Sequence, residues 1–221
     1  MSWESTQMYY SLLNRGIKEA RGGHSSCPCL IRAVNFEPIV QAMSNGNWKQ
    51  VSSVLIQAAK SLEAGGADFF IMASNTVHKV ADEVKDSVSI PFISITDEVC
   101  KHLSEKGIRK AGLLGTLFAL NSNIYAEPAL KYGLELIIPG HKEKHEINRI
   151  IFEELVHGKL VENSIKLAIN AVSKLKNSGA ETVILGCTEL PLLLTTENSS
   201  LPLADSTKIH VDAILREIIK V

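Results

Sequence analysis

No apolar run in this chain approaches the ~20 residues that a membrane-spanning helix needs. The first residues also lack a basic stretch followed by an apolar one, so neither a membrane span nor a secretory leader is expected. Aromatic residues make up only 5 % of the chain, and the formal net charge is −1 with both signs interspersed. No basic stripe is available to neutralise a phosphate backbone, which argues against nucleic acid as a partner. Cysteine is scarce as well. Cys27, Cys29, Cys100 and Cys187 do not form a disulfide framework, and reduced thiols suit the cytosol, so the expected location is cytoplasmic. Cys27 and Cys29 stand in His24-Ser25-Ser26-Cys27-Pro28-Cys29 without a second Cys/His pair at zinc-site spacing, and no metal is expected there. Cys100 falls in a helical pattern and reads as a small core residue. Trp3 and Tyr10 also read as core, and the histidines other than His78 read as solvated.

What is present is a repeat. Its first copy is Gly66-Ala67-Asp68-Phe69-Phe70-Ile71-Met72-Ala73-Ser74-Asn75-Thr76, and its second is Gly179-Ala180-Glu181-Thr182-Val183-Ile184-Leu185-Gly186-Cys187-Thr188-Glu189. Each is a short apolar run that ends in a small nucleophilic residue followed by polar side chains, the pattern of a buried strand leading into a polar site. Ser74 and Cys187 are equivalent and lie 113 residues apart in a chain of 221. A spacing of half the chain implies a duplicated domain rather than a solenoid. Two half-sites facing each other would make one active site.

Helical and strand patterns alternate along both halves, which predicts an α/β fold with parallel strands and crossover helices. Helices are expected at 4–18, 48–64, 78–84, 97–105, 123–132, 145–156, 161–177 and 209–219. Strands are expected at 29–35, 69–73, 91–95, 111–114, 182–185 and near Leu203. Gly65-Gly66 and Ser178-Gly179 close the helices before the two repeat strands. The second half opens on Ala111-Gly112-Leu113-Leu114-Gly115-Thr116, whose counterpart in the repeat register falls at or before residue 1. The first half is therefore expected to lack its opening strand, with lowered stability or a replacement from a partner chain as the consequence.

These residues resemble the aspartate/glutamate racemase family of cofactor-independent amino-acid racemases. The likeness is carried by Met1-Ser2-Trp3-Glu4-Ser5-Thr6 with Tyr9-Tyr10 and Asn14, by Ser74-Asn75-Thr76-Val77-His78-Lys79-Val80-Ala81, by Ile147 to Leu155, and by Gly186-Cys187-Thr188-Glu189. The resemblance implies two pseudo-symmetric α/β domains, each with a largely parallel four-stranded sheet, and an active site in the interdomain cleft. The domains would be 1–96 plus 208–221 and 97–207. No cofactor, pyridoxal phosphate included, is implied. The partner is a small-molecule amino-acid substrate. Many members of the family dimerise, so a homodimer is admitted although the sequence does not fix the oligomeric state.

In the family, two cysteines exchange the α-proton from opposite faces of Cα. A thiol suits that task because its ordinary pKa of ~8.5 lies close to neutrality. Here Cys187 matches the second cysteine and Ser74 stands in place of the first. The expectation is that Cys187, as thiolate, deprotonates one enantiomer while Ser74, directly or through water, reprotonates the other face, with unequal rates in the two directions. Asn75, Thr76, Thr116 and Thr188 are the candidate donors to the substrate α-carboxylate by motif position, with Ser2 added from the N-terminal loop. The other reading of each is a loop-capping group. His78 and Glu189 either orient and polarise the catalytic pair or cap the helices that begin there. None of Arg32, Arg149 and Lys159 aligns with the basic residue that holds a distal carboxylate in acid-specific members. Phe36-Glu37 and Val156 occupy the places where it would stand, so the substrate is aspartate or glutamate or a broader set. The competing readings are a related small-carboxylate isomerase or decarboxylase, and a non-catalytic or truncated homologue.

Overall fold

The computed structural model describes residues 2–220. The chain divides into two compact units, Met1–Ile95 with His210–Val221, and Thr96–Ile209. Helices α1 (Trp3–Arg21), α2 (Phe36–Ser44), α3 (Trp48–Ala64) and α4 (Ala81–Lys85) belong to the first unit, and α5 (Ile95–Glu105) leads into the second. There the order is β1 (Lys110–Leu114), α6 (Leu117–Asn121), α7 (Ala126–Lys131), β2 (Glu135–Ile137), α8 (His141–Glu153), α9 (Glu162–Asn177), β3 (Thr182–Leu185) and β4 (Leu203–Asp205). Helix α10 (Ser206–Lys220) returns the chain to the first unit.

The second unit is built on a four-stranded parallel sheet in the order β2-β1-β3-β4. Its central strands are the two apolar runs read from the sequence, and β3 is buried along its whole length, as a parallel strand covered on both faces requires. Helix α9 turns Ala168, Ala171, Val172 and Leu175 inward and α8 turns Ile147, Ile150 and Ile151 inward, both at helical spacing, into one cluster with Leu114, Val183 and Leu185. Gly112 of β1 leaves room for Leu175: a Cβ there would stand 2.8 Å from Leu175 Cδ1 and 3.2 Å from its Cβ. Gly112→Ala should therefore cost about 1–3 kcal/mol by overpacking, seen as a lower urea midpoint at unchanged slope.

The first unit departs from this pattern. Among the described residues it contains no strand ladder, only an isolated parallel bridge between Phe70 and Phe92. Two hydrogen bonds make it, Phe70 N–H to Pro91 C=O at 2.9 Å and Ile93 N–H to Phe70 C=O at 3.1 Å. The physical reason lies in the order of strands. In the second unit β1 is central and pairs on both sides, whereas among the described residues of the first unit no strand takes that place. The 69–73 run is thus paired on one side only, and the extended stretch 29–35 joins no ladder. Helix α1 covers this layer, with Tyr9, Leu13 and Ile17 packed together with Phe69, Ile71, Ala73 and Ile93 and with Val211 and Ile214 of α10.

Cys100 is fully buried, as read. Trp3 and Tyr10 are not core: they are 71 % and 50 % exposed, because the inward stripe of α1 runs Ser5, Tyr9, Leu13, Ile17 and leaves them outside it. His210 is not solvated but has no exposed surface at all, for reasons that belong to the site.

Candidate active site

In the second unit, Thr116 and Cys187 follow the carboxyl ends of β1 and β3, the place where parallel sheets bind ligands. Leu114 pairs with Leu185 at the end of the ladder, and Gly186 N–H extends it with a 2.7 Å bond to Leu114 C=O. A Cβ on Gly186 would lie 3.0 Å from Leu114 O, and one on Gly115 would lie 3.2 Å from Gly186 O. Two glycines are needed for both loops to leave the sheet side by side, and they set Thr116 and Cys187 on adjacent strand ends. Thr116 caps α6, its Oγ1 accepting from Ala119 N–H at 3.2 Å. Asn148 of α8, which the sequence did not single out as a site residue, accepts from Leu117 N–H at 2.9 Å and anchors the same loop. Ser206 donates to Leu185 C=O at 2.7 Å and secures the end of β3.

The Cys187 thiol donates to Glu189 Oε2 at 3.0 Å, and the Thr188 hydroxyl donates to the same oxygen at 2.7 Å. Cys187 is only half-buried by area, yet its surroundings desolvate the sulfur. That burial, followed by the negative charge of Glu189, holds the thiol well above its ordinary pKa. At rest the thiol is neutral and hydrogen-bonded to the Glu189 side chain. Glu189 makes no capping bond to the 3₁₀ turn Leu190–Leu192 that follows it.

In the first unit, the 69–73 run ends in Ser74, whose N–H bonds Met72 C=O at 2.8 Å in a tight turn. Asn75 is buried beside it, and Thr76 opens a 3₁₀ turn that runs to Val80. His78 does not cap that turn. Its Nδ1 donates to Ser74 C=O at 2.9 Å, and its Nε2 accepts from Ile95 N–H at 3.3 Å, which fixes a neutral tautomer. Burial pushes the His78 pKa down to about 4. Ser2 is the N-cap of α1: its Oγ accepts from Ser5 N–H and donates to Ser5 Oγ, both at 3.1 Å. The capping bond of Ser2 is thus present.

Ser74, Asn75, Thr76 and His78 form one polar group in the first unit, and Thr116, Cys187, Thr188 and Glu189 form another in the second. A chain with these two motifs in this order matches the family model described as Asp/Glu/Hydantoin racemase over residues 1–214. The chain belongs to that family. It is 35 % identical to a Yersinia pestis protein assigned as an Asp/Glu racemase, with a TM-score of 0.92 over 98 % of this chain and 94 % of that one. An aspartate racemase homologue from Pyrococcus horikoshii is also 35 % identical, with a TM-score of 0.83 over 100 % and 96 % of the two chains. The broad specificity amino-acid racemase RacX of Bacillus subtilis is 26 % identical over 72 % of this chain and 68 % of its own. Among the described residues no helix is long and apolar enough to cross a membrane, and no group of three or more His, Cys, Asp and Glu side chains could hold a metal ion.

Arg149 is held by three carboxylates, Glu154 at 2.7 Å, Glu146 at 3.3 Å and Glu153 at 3.7 Å. Its charge is already matched by carboxylates of α8 and by Glu154 just past its end. The sequence marks Tyr9 and Asn148 only as members of motif segments and His210 as a solvated histidine; each bonds a partner far along the chain.

Proposed function

We propose that this racemase interconverts the enantiomers of a free amino acid without a cofactor, with Cys187 serving one face of Cα and Ser74 the other. The observation that carries the reading is the thiol–carboxylate pair at the end of β3. Cys187 passes its proton to Glu189, and the thiolate removes the α-proton. The carbanion delocalises into the α-carboxylate, for which Thr116, Thr188, Asn75 and Thr76, with loop N–H groups, are the donors. Ser74, through a water molecule, returns a proton to the opposite face. The proton held by Glu189 then goes to solvent, and the hydroxide left beside Ser74 takes one proton from solvent, so charge and protons balance. A hydroxyl is a far weaker acid than a thiol, and the two directions are unequal for that reason.

The occupied Arg149 supports a substrate range wider than the acidic amino acids, because it offers no unmatched cation to a distal carboxylate. The broad specificity named for the Bacillus subtilis relative points the same way. The test is a panel of enantiopure amino acids in heavy water, followed by NMR for Cα deuteration and by circular dichroism for inversion. Both signals are expected from several neutral amino acids, and Ser74→Cys is expected to bring the rates from the two enantiomers closer together. Release of CO2 without inversion would instead select the decarboxylase reading. Silence across the whole panel would select a non-catalytic homologue.

A further inference from the structure

Two buried histidines hold one short segment of the first unit from two elements. The Tyr9 hydroxyl donates to His210 Nδ1 at 2.8 Å, with the rings edge to face at 5.6 Å. Since a carbonyl only accepts, the 3.0 Å contact from His210 Nε2 to Ile93 C=O places the proton on Nε2 and leaves Nδ1 bare for Tyr9. Two residues on, Ile95 N–H donates to His78 Nε2, and His78 Nδ1 donates to Ser74 C=O. Ile93 N–H is taken by Phe70 C=O, and the Phe92 ring packs against Phe70 at 4.8 Å and His78 at 5.6 Å. Tyr9, His78 and His210 are all buried, which shields these bonds from water.

We infer that Tyr9 and His210 are positioning residues for Ser74, acting through the 93–95 segment and His78. The inference rests on the reading that Ser74 serves one face of Cα. The run of bonds has one consistent set of proton positions. His210 fixes Ile93, and the short backbone from Ile93 to Ile95 sets the height of the amide that His78 accepts. The His78 ring then sets the Ser74 carbonyl, and with it the direction in which the Ser74 side chain leaves the chain. Protonating His78 would set N–H against N–H at Ile95 and break the line. A sheet with partners on both sides could hold the 69–73 run rigidly by its ladder alone. Here one bridge does so, and the histidines provide the rest.

A merely structural role and a positioning role separate in heavy water. Deuterium washed into recovered, uninverted substrate at the Cys187 face needs Cys187 alone, whereas inversion needs Ser74 as well. Tyr9→Phe removes one hydroxyl and keeps the ring, and His210→Gln keeps a donor for Ile93. For Tyr9→Phe the ratio of inversion to wash-in should fall about tenfold, with KM for the starting enantiomer unchanged. His210→Ala should push the ratio towards that of Ser74→Ala, and His210→Gln should recover part of it. Equal loss of inversion and wash-in in these variants would overturn the inference. A second readout does not depend on turnover: the ¹⁵N signals of His78 should report an Nδ1–H tautomer in the wild type and should move in Tyr9→Phe and His210→Gln. An unmoved His78 spectrum in both variants also overturns it. If the wild type exchanges no amino acid, the racemase reading fails and the His78 spectrum alone decides whether His210 sets the Ser74 loop.

Discussion

Cys187→Ala is expected to abolish inversion and deuterium wash-in together, by about a thousandfold or more, since in the proposed mechanism both need Cys187 to remove the α-proton. Stability should fall by no more than about 1 kcal/mol, because the side chain is small and only half-buried. Cys187→Ser keeps a donor for Glu189 but leaves a hydroxyl on each face, and should recover little. Glu189→Gln separates two effects that Glu189 exerts on the thiol. Its charge and its hydrogen bond both hold the thiol up, so removing them should make Cys187 ionise more readily and alkylate faster at pH 8. Turnover should fall at the same time, because an amide cannot receive the proton. Faster alkylation of the Cys187 peptide with slower racemisation is the paired result; the peptide must be resolved by mass spectrometry because Cys29 is a free, exposed thiol. A Cys187→Ala protein at full activity would refute the assignment of the base.

The parts of the fold that could be read from the sequence are those where one segment decides its own structure. The runs at 111–114 and 182–185 are almost wholly apolar and became the central strands β1 and β3, and the helix read at 48–64 has those bounds. Strand β2 is three residues long with Glu135 at its start, and it exists because β1 offers an open edge, which no periodicity in 135–137 reveals. Helix α6 is five residues long and owes its start to Thr116 and Asn148 together. Helix α2 was legible in principle, since Asn35 caps it and Ile39, Ala42 and Met43 face inward at helical spacing. The site divides in the same way. Ser74 and Cys187 announce themselves through the repeat, and Glu189 follows from its place beside Cys187. His210 looks like one polar residue among several on a terminal helix. Its burial depends on Tyr9, 201 residues earlier, and on a carbonyl at position 93. Trp3 and Tyr10 show the converse, apolar side chains that no neighbouring element covers.

Acid should unfold the first unit before it titrates most carboxylates. Burial pushes the His78 pKa down to about 4, and burial together with the nearby His78 pushes His210 to about 3. In the unfolded chain both sit near the ordinary value of ~6.5. The folded state binds fewer protons than the unfolded one throughout that interval, so stability is complete above about pH 6.5 and drains away as pH falls towards the folded values. At ~1.4 kcal/mol per pKa unit, each histidine withdraws on the order of 3 kcal/mol, against a total of roughly 5–15 kcal/mol for a domain. Where both histidines differ fully between states, near pH 5, the slope approaches about 2.7 kcal/mol per pH unit. The first unit carries both groups and, among the described residues, only one bridge in place of a ladder, so it should open first. Trp3 and Trp48 are the two tryptophans of the chain and both lie in that unit, so their fluorescence reports it selectively. Urea midpoints measured by that signal should drop steeply between pH 6.5 and 4.5. His210→Gln should be less stable at pH 7 yet show a flatter dependence, because one titrating group is gone. Midpoints that stay level from pH 7 to 5 would mean that the two imidazoles are not held neutral by the fold.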